Sequence, residues 1–365
     1  MADTKAFQDN AKSAVVITGS VGKSDVARLL GSGLTYDGLW SLSDNRKAPS
    51  VTENAQAAFS LHVVDYLGDM SLVPSNCDVC VVTPSTPEDQ IYTNIFANMK
   101  SGDVAIIADV DGNASNPIRQ AEQKGLRVMR VRLAQDNHDY TANDVWVERI
   151  EQQSDCSCVI AHIAGERIIY KISLPGRQAV MNSLLALATI KAVGGDMAIA
   201  AINFTSQKAR AGFGREMIIG EDENVFTLVD YSGHMNMLSL RAALDHLSLV
   251  ETGKRNHRIA VLSDFDGSVV SDEKHLETLQ KHMREAGITR ALTLGSEMAN
   301  FMRDAGIVSE EFSTKTTLQR RLQSMAKRGD VVLIMGPSSS KMAALVDALQ
   351  EHFDISNHRF QAAAE

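Results

Sequence analysis

No stretch of this 365-residue chain holds the roughly 18–20 consecutive apolar residues that cross a bilayer. Residues 1–12 are polar and lack the apolar segment of a secretory signal, so the protein is expected in the cytoplasm with no membrane partner. Basic charge is also in short supply. The chain has 36 Lys and Arg against 45 Asp and Glu, a formal net charge of -9, which argues against a nucleic-acid partner or an anionic membrane surface. Internal repeats and low-complexity segments are missing too. Cysteine is scarce, with four residues in two pairs, Cys77/Cys80 and Cys156/Cys158. Their C-x-x-C and C-x-C spacings could hold a metal through four thiolates. Both pairs sit in β-like apolar runs, however, where a free cysteine acts as a small buried hydrophobe, and that reading is preferred.

What is present describes an ordinary soluble chain, 44% hydrophobic and 22% charged, long enough for two domains. The first half alternates strand-like runs with helical or loop segments. Strands are expected at 14–18, 62–66, 79–83, 104–108 and 127–131, with a helix over 23–31. Alternation of this kind predicts an α/β fold with a mostly parallel sheet covered on both faces. Period-two segments between Asp144 and Ser173 predict an antiparallel subsheet beside it. A strongly apolar helix follows over 180–193 and stops at Gly194-Gly195. The α/β rhythm then restarts. Strands are expected at 225–230, 258–262, 290–294 and 331–335, and helices at 239–249, 273–286, 317–327 and 341–352. The two domains are expected over 12–212 and 213–365, with the linker near Ala211–Glu221.

The most informative segment is Ile17-Thr18-Gly19-Ser20-Val21-Gly22-Lys23-Ser24, which leaves a buried strand and opens a helix. Backbone N–H groups of such a turn converge with the helix N-terminus on phosphate oxygens. Gly19 and Gly22 let the backbone approach without a Cβ, and Ser20 lies between them. Lys23 would neutralise the β- and γ-phosphates, and the Ser24 hydroxyl would ligate Mg2+. Ile17 stands where the first glycine of the longer G-x-x-x-x-G-K-S/T loop would fall. A chance Gly-Lys-Ser is the bland reading; the strand before it and the helix after it favour nucleotide binding.

That shortened loop resembles the one shared by the Mur ligases, the folylpolyglutamate synthetases and the cyanophycin synthetases. Further segments resemble the family in its own order: Cys77–Asp89, Leu174–Ala188, Gly214-Arg215-Glu216, and Leu228–Leu244. Arg258–Gly267 and Asp330–Leu345 are similar to the D-alanyl-D-alanine-adding branch. The resemblance covers residues 12–350 and implies a P-loop ATPase domain followed by a Rossmann-like C-terminal α/β domain. It implies an ATP-dependent ligase, in which a carboxylate attacks the γ-phosphate and an amine then displaces phosphate from the acyl phosphate. Small-molecule carboxylates and amines, such as amino acids or peptides, are the partners it implies. A homo-oligomer or a partner subunit stays open.

By the same resemblance Asp65 matches the family's Mg2+-binding Glu, and Asp89 falls where a metal-ligating His is expected. An Asp there keeps the oxygen donor that Mg2+ prefers. Asn182 and Arg215 match nucleotide contacts, and Asp230 matches the acid that holds the ribose. Ser338 and Lys341 are the candidates to meet the incoming amino substrate, and His234, just after Asp230-Tyr231, joins the catalytic list with Lys23 and Asp89. His234 and His275 also have the commoner reading of histidines that hydrogen-bond structurally.

The sequence departs from the family at several points. Gln178 and Ala179 replace a His-Asn pair, and residues 90–100 offer no lysine at the spacing of the carbamoylated lysine. The family's N-terminal UDP-sugar domain has no counterpart before Ala14, so substrates other than UDP-linked peptidoglycan precursors are expected. A nucleotide-binding pseudoenzyme or a subunit of a larger complex is the alternative. A second alternative comes from Asp264-Phe265-Asp266-Gly267, which imitates the nucleophile motif of haloacid-dehalogenase-type phosphatases. No later paired acids support it, and a solvated or substrate-facing loop is the preferred reading.

Overall fold

The computed structural model describes residues 13–34, 40–44, 59–63, 77–85, 96–110, 112, 114–133, 140–220, 225–266 and 273–352. The chain divides into two compact units, Met1–Gln207 and Lys208–Glu365.

Unit 1 is built on strands β1 (Ser13–Thr18), β2 (Trp40–Asp44), β3 (Phe59–Val63), β4 (Cys77–Val82), β5 (Val104–Ala108) and β6 (Arg127–Arg132). Strands β7 (Val145–Gln152), β8 (Ser157–Ile163) and β9 (Glu166–Ile172) extend the sheet. The order is β2-β3-β1-β4-β5-β6-β7-β8-β9. Pairs from β2 to β7 are parallel, while β7/β8 and β8/β9 are antiparallel, so the expected antiparallel extension is present. Strand β1 is apolar from Ala14 to Ile17 because a parallel sheet is covered on both faces, and these four residues are all buried. Helices α1 (Lys23–Gly33), α2 (Ser115–Gln123), α3 (Arg177–Ala192) and α4 (Met197–Asn203) belong to this unit.

Helix α3 is apolar on nearly every side, which marks a helix buried all round, and Val180 to Ile190 are buried without a break. Its hydroxyls are satisfied locally: Ser183 Oγ donates to Val180 O at 2.7 Å and Thr189 Oγ1 to Leu185 O at 2.7 Å. The stop at Gly194-Gly195 is a Schellman motif. Gly195 N donates to Ile190 O at 2.8 Å and Gly194 N to Lys191 O at 3.1 Å, with Gly194 at φ 82°.

Unit 2 holds β10 (Arg215–Ile219), β11 (Phe226–Tyr231), β12 (Arg258–Ser263), β13 (Ile288–Leu294), β14 (Val308–Phe312) and β15 (Val331–Met335). Their order is β10-β11-β15-β12-β13-β14, and every pair is parallel except β10/β11. The helices of this unit are α5 (Met237–Leu249), α6 (Glu273–Glu285), α7 (Ser296–Asp304), α8 (Lys315–Met325) and α9 (residues 342–352). Two buried apolar clusters, one containing Leu240, Leu262 and Met302 and the other Leu318, Ile334 and Val346, form its core.

Most expected elements stand within a few residues. Strand β3 begins at Phe59, ahead of the expected 62, where its register with β1 aligns Phe59–Val63 with Ser13–Ile17; residues 64–66 of the expected strand lie outside the described residues. Among the described residues no helix is long and apolar enough to cross a membrane.

Candidate functional site

In unit 1 the chain steps from β1 to β3 on one side and to β4 on the other, so the strand order reverses at β1. Open α/β sheets take ligands at the carboxyl ends of the strands that flank such a switch point. The glycine loop leaves β1 there, and Thr83-Pro84-Ser85 leaves β4 beside it. The two are tied by backbone bonds. Thr83 N donates to Thr18 O at 2.8 Å, and Ser20 N and Val21 N donate to Pro84 O at 3.1 and 3.2 Å.

Both glycines take the left-handed conformation, Gly19 at φ 118° and Gly22 at φ 95°. The space a side chain would need is filled by protein. A Cβ on Gly19 would lie 2.4 Å from Thr83 Oγ1, and one on Gly22 would lie 2.3 Å from Asn182 Oδ1. Glycine is thus demanded by the packing of the loop on Thr83 and on α3. Gln178 donates from Nε2 to Asn182 Oδ1 at 2.9 Å, one turn away on α3, and both amides stand against Gly22. Lys23 is buried, and its ammonium donates to the Gly19 carbonyl across the loop. Ser24 follows it in the first turn of α1, where backbone donors lack intrahelical acceptors.

Asp65 and Asp89 lie outside the described residues, as do Pro87 and Glu88. Among the described residues no three His, Cys, Asp or Glu side chains converge to hold a metal ion. The cysteines Cys77 and Cys80 are buried in β4. Burial, followed by the charges of Asp78 and Asp103, pushes the Cys77 thiol up to about 12, so it stays a protonated core residue at neutral pH. Sequence reasoning missed Asp109 at the carboxyl end of β5. This buried acid accepts from Arg132 Nε at 2.8 Å and Ala114 N at 3.3 Å, and holds the start of α2 to β6.

In unit 2 the candidates divide into two groups. Arg215 and Asp230 are register partners across β10/β11, with Arg215 Nη2 3.6 Å from Asp230 Oδ2. The buried Asp230 carboxylate also accepts from Gly212 N at 2.6 Å, Ser232 Oγ at 2.6 Å and Ser232 N at 3.1 Å. It therefore fixes the turn before β10 and the guanidinium together. Behind them Tyr231 Oη lies 3.1 Å from His246 Nδ1, and His246 Nε2 lies 2.8 Å from Glu216 Oε1.

The second group lines the loops after β11 and β15. Ser338 Oγ donates to Gly233 O at 3.1 Å, and His234 Nε2 lies 3.3 Å from Asn236 Nδ2. Lys341 takes the left-handed conformation, φ 52° and ψ 41°, before α9. The Asp264 carboxylate accepts from Met298 N at 2.8 Å, which gives this acid the work of capping α7. His275 falls on α6.

Comparison with known proteins gives the class first. Residues 90–190 match the family model of the Mur ligase middle domain, a match that begins beyond the glycine loop. Among solved structures the chain is similar to MurF from Acinetobacter baumannii, with a TM-score of 0.75 at 14% identity, covering 95% of this chain and 78% of that one. It is similar to the MurF ligase of Thermotoga maritima in complex with ADP, with a TM-score of 0.72 at 12% identity, covering 97% and 83%. It is also similar to E. coli FolC in complex with DHPP and ADP, with a TM-score of 0.64 at 15% identity, covering 96% and 91%. No curated protein matches. The resemblance to the Mur ligase superfamily is borne out: part of the chain matches the family's middle domain, and the fold is the one found in these ligases.

Proposed function

We propose that this protein is an ATP-dependent ligase that joins a carboxylate to an amine through an acyl phosphate. The observation that carries the reading is the glycine loop at the switch point of unit 1, closed by Lys23 on Gly19 and braced by Asn182 and Gln178. Solved relatives of the same fold hold ADP, which supports a nucleotide as the ligand.

In this reading the N–H groups of the loop and of the first turn of α1 receive phosphate oxygens. Lys23 turns from the Gly19 carbonyl to the β- and γ-phosphates, where a charge-assisted hydrogen bond is gained. Ser24, with Asp65 and Asp89, would hold Mg2+, which supplies charge neutralisation along the phosphate chain. A carboxylate oxygen takes the γ-phosphoryl group as ADP leaves. The amine nitrogen then attacks the acyl carbon, and inorganic phosphate leaves with formation of the amide. Arg215 and Asp230 are proposed as nucleotide contacts, and His234, Ser338 and Lys341 as groups for the amine substrate, on the strength of the family resemblance.

Two measurements test this. Lys23→Ala should weaken binding of a Mg2+–ATP analogue about 10- to 100-fold, the scale of a charge-assisted hydrogen bond, while the fold persists by circular dichroism. A panel of 18O-labelled carboxylic acids incubated with amines and Mg2+–ATP should yield labelled inorganic phosphate for the true acid. Nucleotide binding with no phosphate release from any pair would favour a pseudoenzyme. Unchanged binding in Lys23→Ala would sink the loop's assignment.

A further inference from the structure

Thr83 opens the segment that leaves β4 across the switch point, and it is 0% exposed. Its backbone is fully employed: the N–H donates to Thr18 O at 2.8 Å, and the carbonyl accepts from Ser85 Oγ at 3.2 Å. Its hydroxyl has no hydrogen-bond partner among the described residues. That oxygen lies directly beneath the first glycine of the loop, 2.4 Å from where a Gly19 Cβ would stand. A buried hydroxyl without a partner destabilises a fold, and valine, of nearly the same shape, would remove the penalty. The neighbouring Thr18 hydroxyl is orphaned in the same way. Among the other described residues of unit 1 buried hydroxyls are satisfied, as Ser183 and Thr189 are on α3. The unsatisfied pair flanks the one place where the sheet topology and the glycine loop both call for a ligand.

We propose that the Thr83 hydroxyl is a phosphate-binding group of the glycine-loop site, held unpaired until a nucleotide is bound. Gly19 covers the hydroxyl, and the Lys23 ammonium on the Gly19 carbonyl holds that cover down. As Lys23 turns to the phosphates the Gly19 segment is released, and Thr83 Oγ1 donates to an anionic oxygen of the phosphate chain. The inference rests on the nucleotide reading above and adds a residue from a second strand to it. It also places part of the site's binding energy in a strain that the free protein carries.

The test is Thr83→Val beside Thr83→Ser, with two readouts. Without nucleotide, Thr83→Val should melt higher than the wild type by about 2–4 °C, because an unpaired buried hydroxyl is gone. With Mg2+ and a non-hydrolysable ATP analogue, titration calorimetry should show about tenfold weaker binding or worse for Thr83→Val, and near wild-type binding for Thr83→Ser. Equal binding by Thr83→Val and the wild type overturns the proposal and leaves the nucleotide site intact. A lower melting temperature in Thr83→Val also overturns it, since the hydroxyl would then serve the fold. A wild type that binds no analogue overturns the nucleotide reading itself, and this proposal with it.

Discussion

The two units each carry a loop that leaves a central parallel strand, turns on a glycine and delivers a lysine to the start of a helix. In unit 1 this is Gly19–Lys23 after β1; in unit 2 it is Gly336–Lys341 after β15. They treat their polar groups in opposite ways. The hydroxyls of the unit 2 loop all have acceptors: Ser338 on Gly233 O, Ser339 on Asp266, and Ser340 on Pro337 O at 2.6 Å. Its carbonyls are capped by Lys315, whose Nζ lies 3.1 Å from Ser340 O and 3.4 Å from Lys341 O. The unit 1 loop has its own lysine bent back on Gly19 and two orphaned hydroxyls, Thr18 and Thr83, beneath it. The unit 2 loop is satisfied by protein without a phosphate, whereas the unit 1 loop lies over two hydroxyls, Thr18 and Thr83, that protein leaves unpaired.

Alanine at the two glycines should break this comparison most sharply. At Gly22 a methyl group meets Asn182 Oδ1 at 2.3 Å and must also hold φ 95°. The left-handed strain and the overpacking together should cost about 2–4 kcal/mol. Displacement of Asn182 should abolish binding of the Mg2+–ATP analogue. At Gly336 the methyl meets Ser263 Oγ at 2.5 Å, Ser340 Oγ at 2.6 Å and Met342 Cγ at 2.7 Å. Overpacking there should cost about 1–3 kcal/mol in unit 2 and leave nucleotide binding within about twofold. Equal losses of binding in the two variants would mean that the loops do not divide the work.

Acid should sharpen the contrast from another side. Burial lowers His62, on β3 beside β1, from its ordinary value of 6.5 to about 4. The unfolded chain takes up a proton near pH 6.5, while the folded chain refuses it until about pH 4. The stability contributed by the neutral ring is therefore whole above pH 6.5 and is lost as pH falls toward 4, by up to about 3 kcal/mol. Both tryptophans, Trp40 and Trp146, lie in unit 1, so their emission follows that unit's unfolding. Urea midpoints measured this way should fall between pH 7 and pH 4.5 in the wild type, and His62→Gln should flatten the fall. A fall of equal size in the variant would remove His62 as the cause.

Which parts were legible in the sequence follows from the range of the forces involved. Strands β1, β5 and β15 are buried on both faces and announce themselves as apolar runs; α3 does the same at helical length. Among the described residues the edge strands β2 (WSLSD) and β14 (VSEEF) have one hydrogen-bonded neighbour each, and they carry polar residues, so no run marks them. Helix α2 was missed because Pro117 and a polar sequence disguise it; proline is tolerated there since the first turn needs no N–H donor. The glycine loop was readable because its strand, glycines, lysine and helix are contiguous. Thr83 was not, because only the pairing of β4 with β1 brings it under Gly19. Gln178 appears in the sequence as a departure from a family pattern, whereas folding sets it against Gly22. The pairing of Arg215 with Asp230 was hidden for the same reason, since β10 is another edge strand.

The smallest expected effect tests the unit 2 half of the comparison. Lys315→Met keeps the aliphatic stem on α8 and removes the ammonium that caps the Ser340 and Lys341 carbonyls. Those carbonyls are partly exposed, so water replaces most of what is lost, and the cost should be about 1 kcal/mol or less. Amide exchange should speed up at the start of α9 and nowhere in unit 1. Binding of the Mg2+–ATP analogue should not change. If the variant instead weakened nucleotide binding several-fold, the cap on the unit 2 loop would belong to the nucleotide's own network, and the two loops could no longer be set apart.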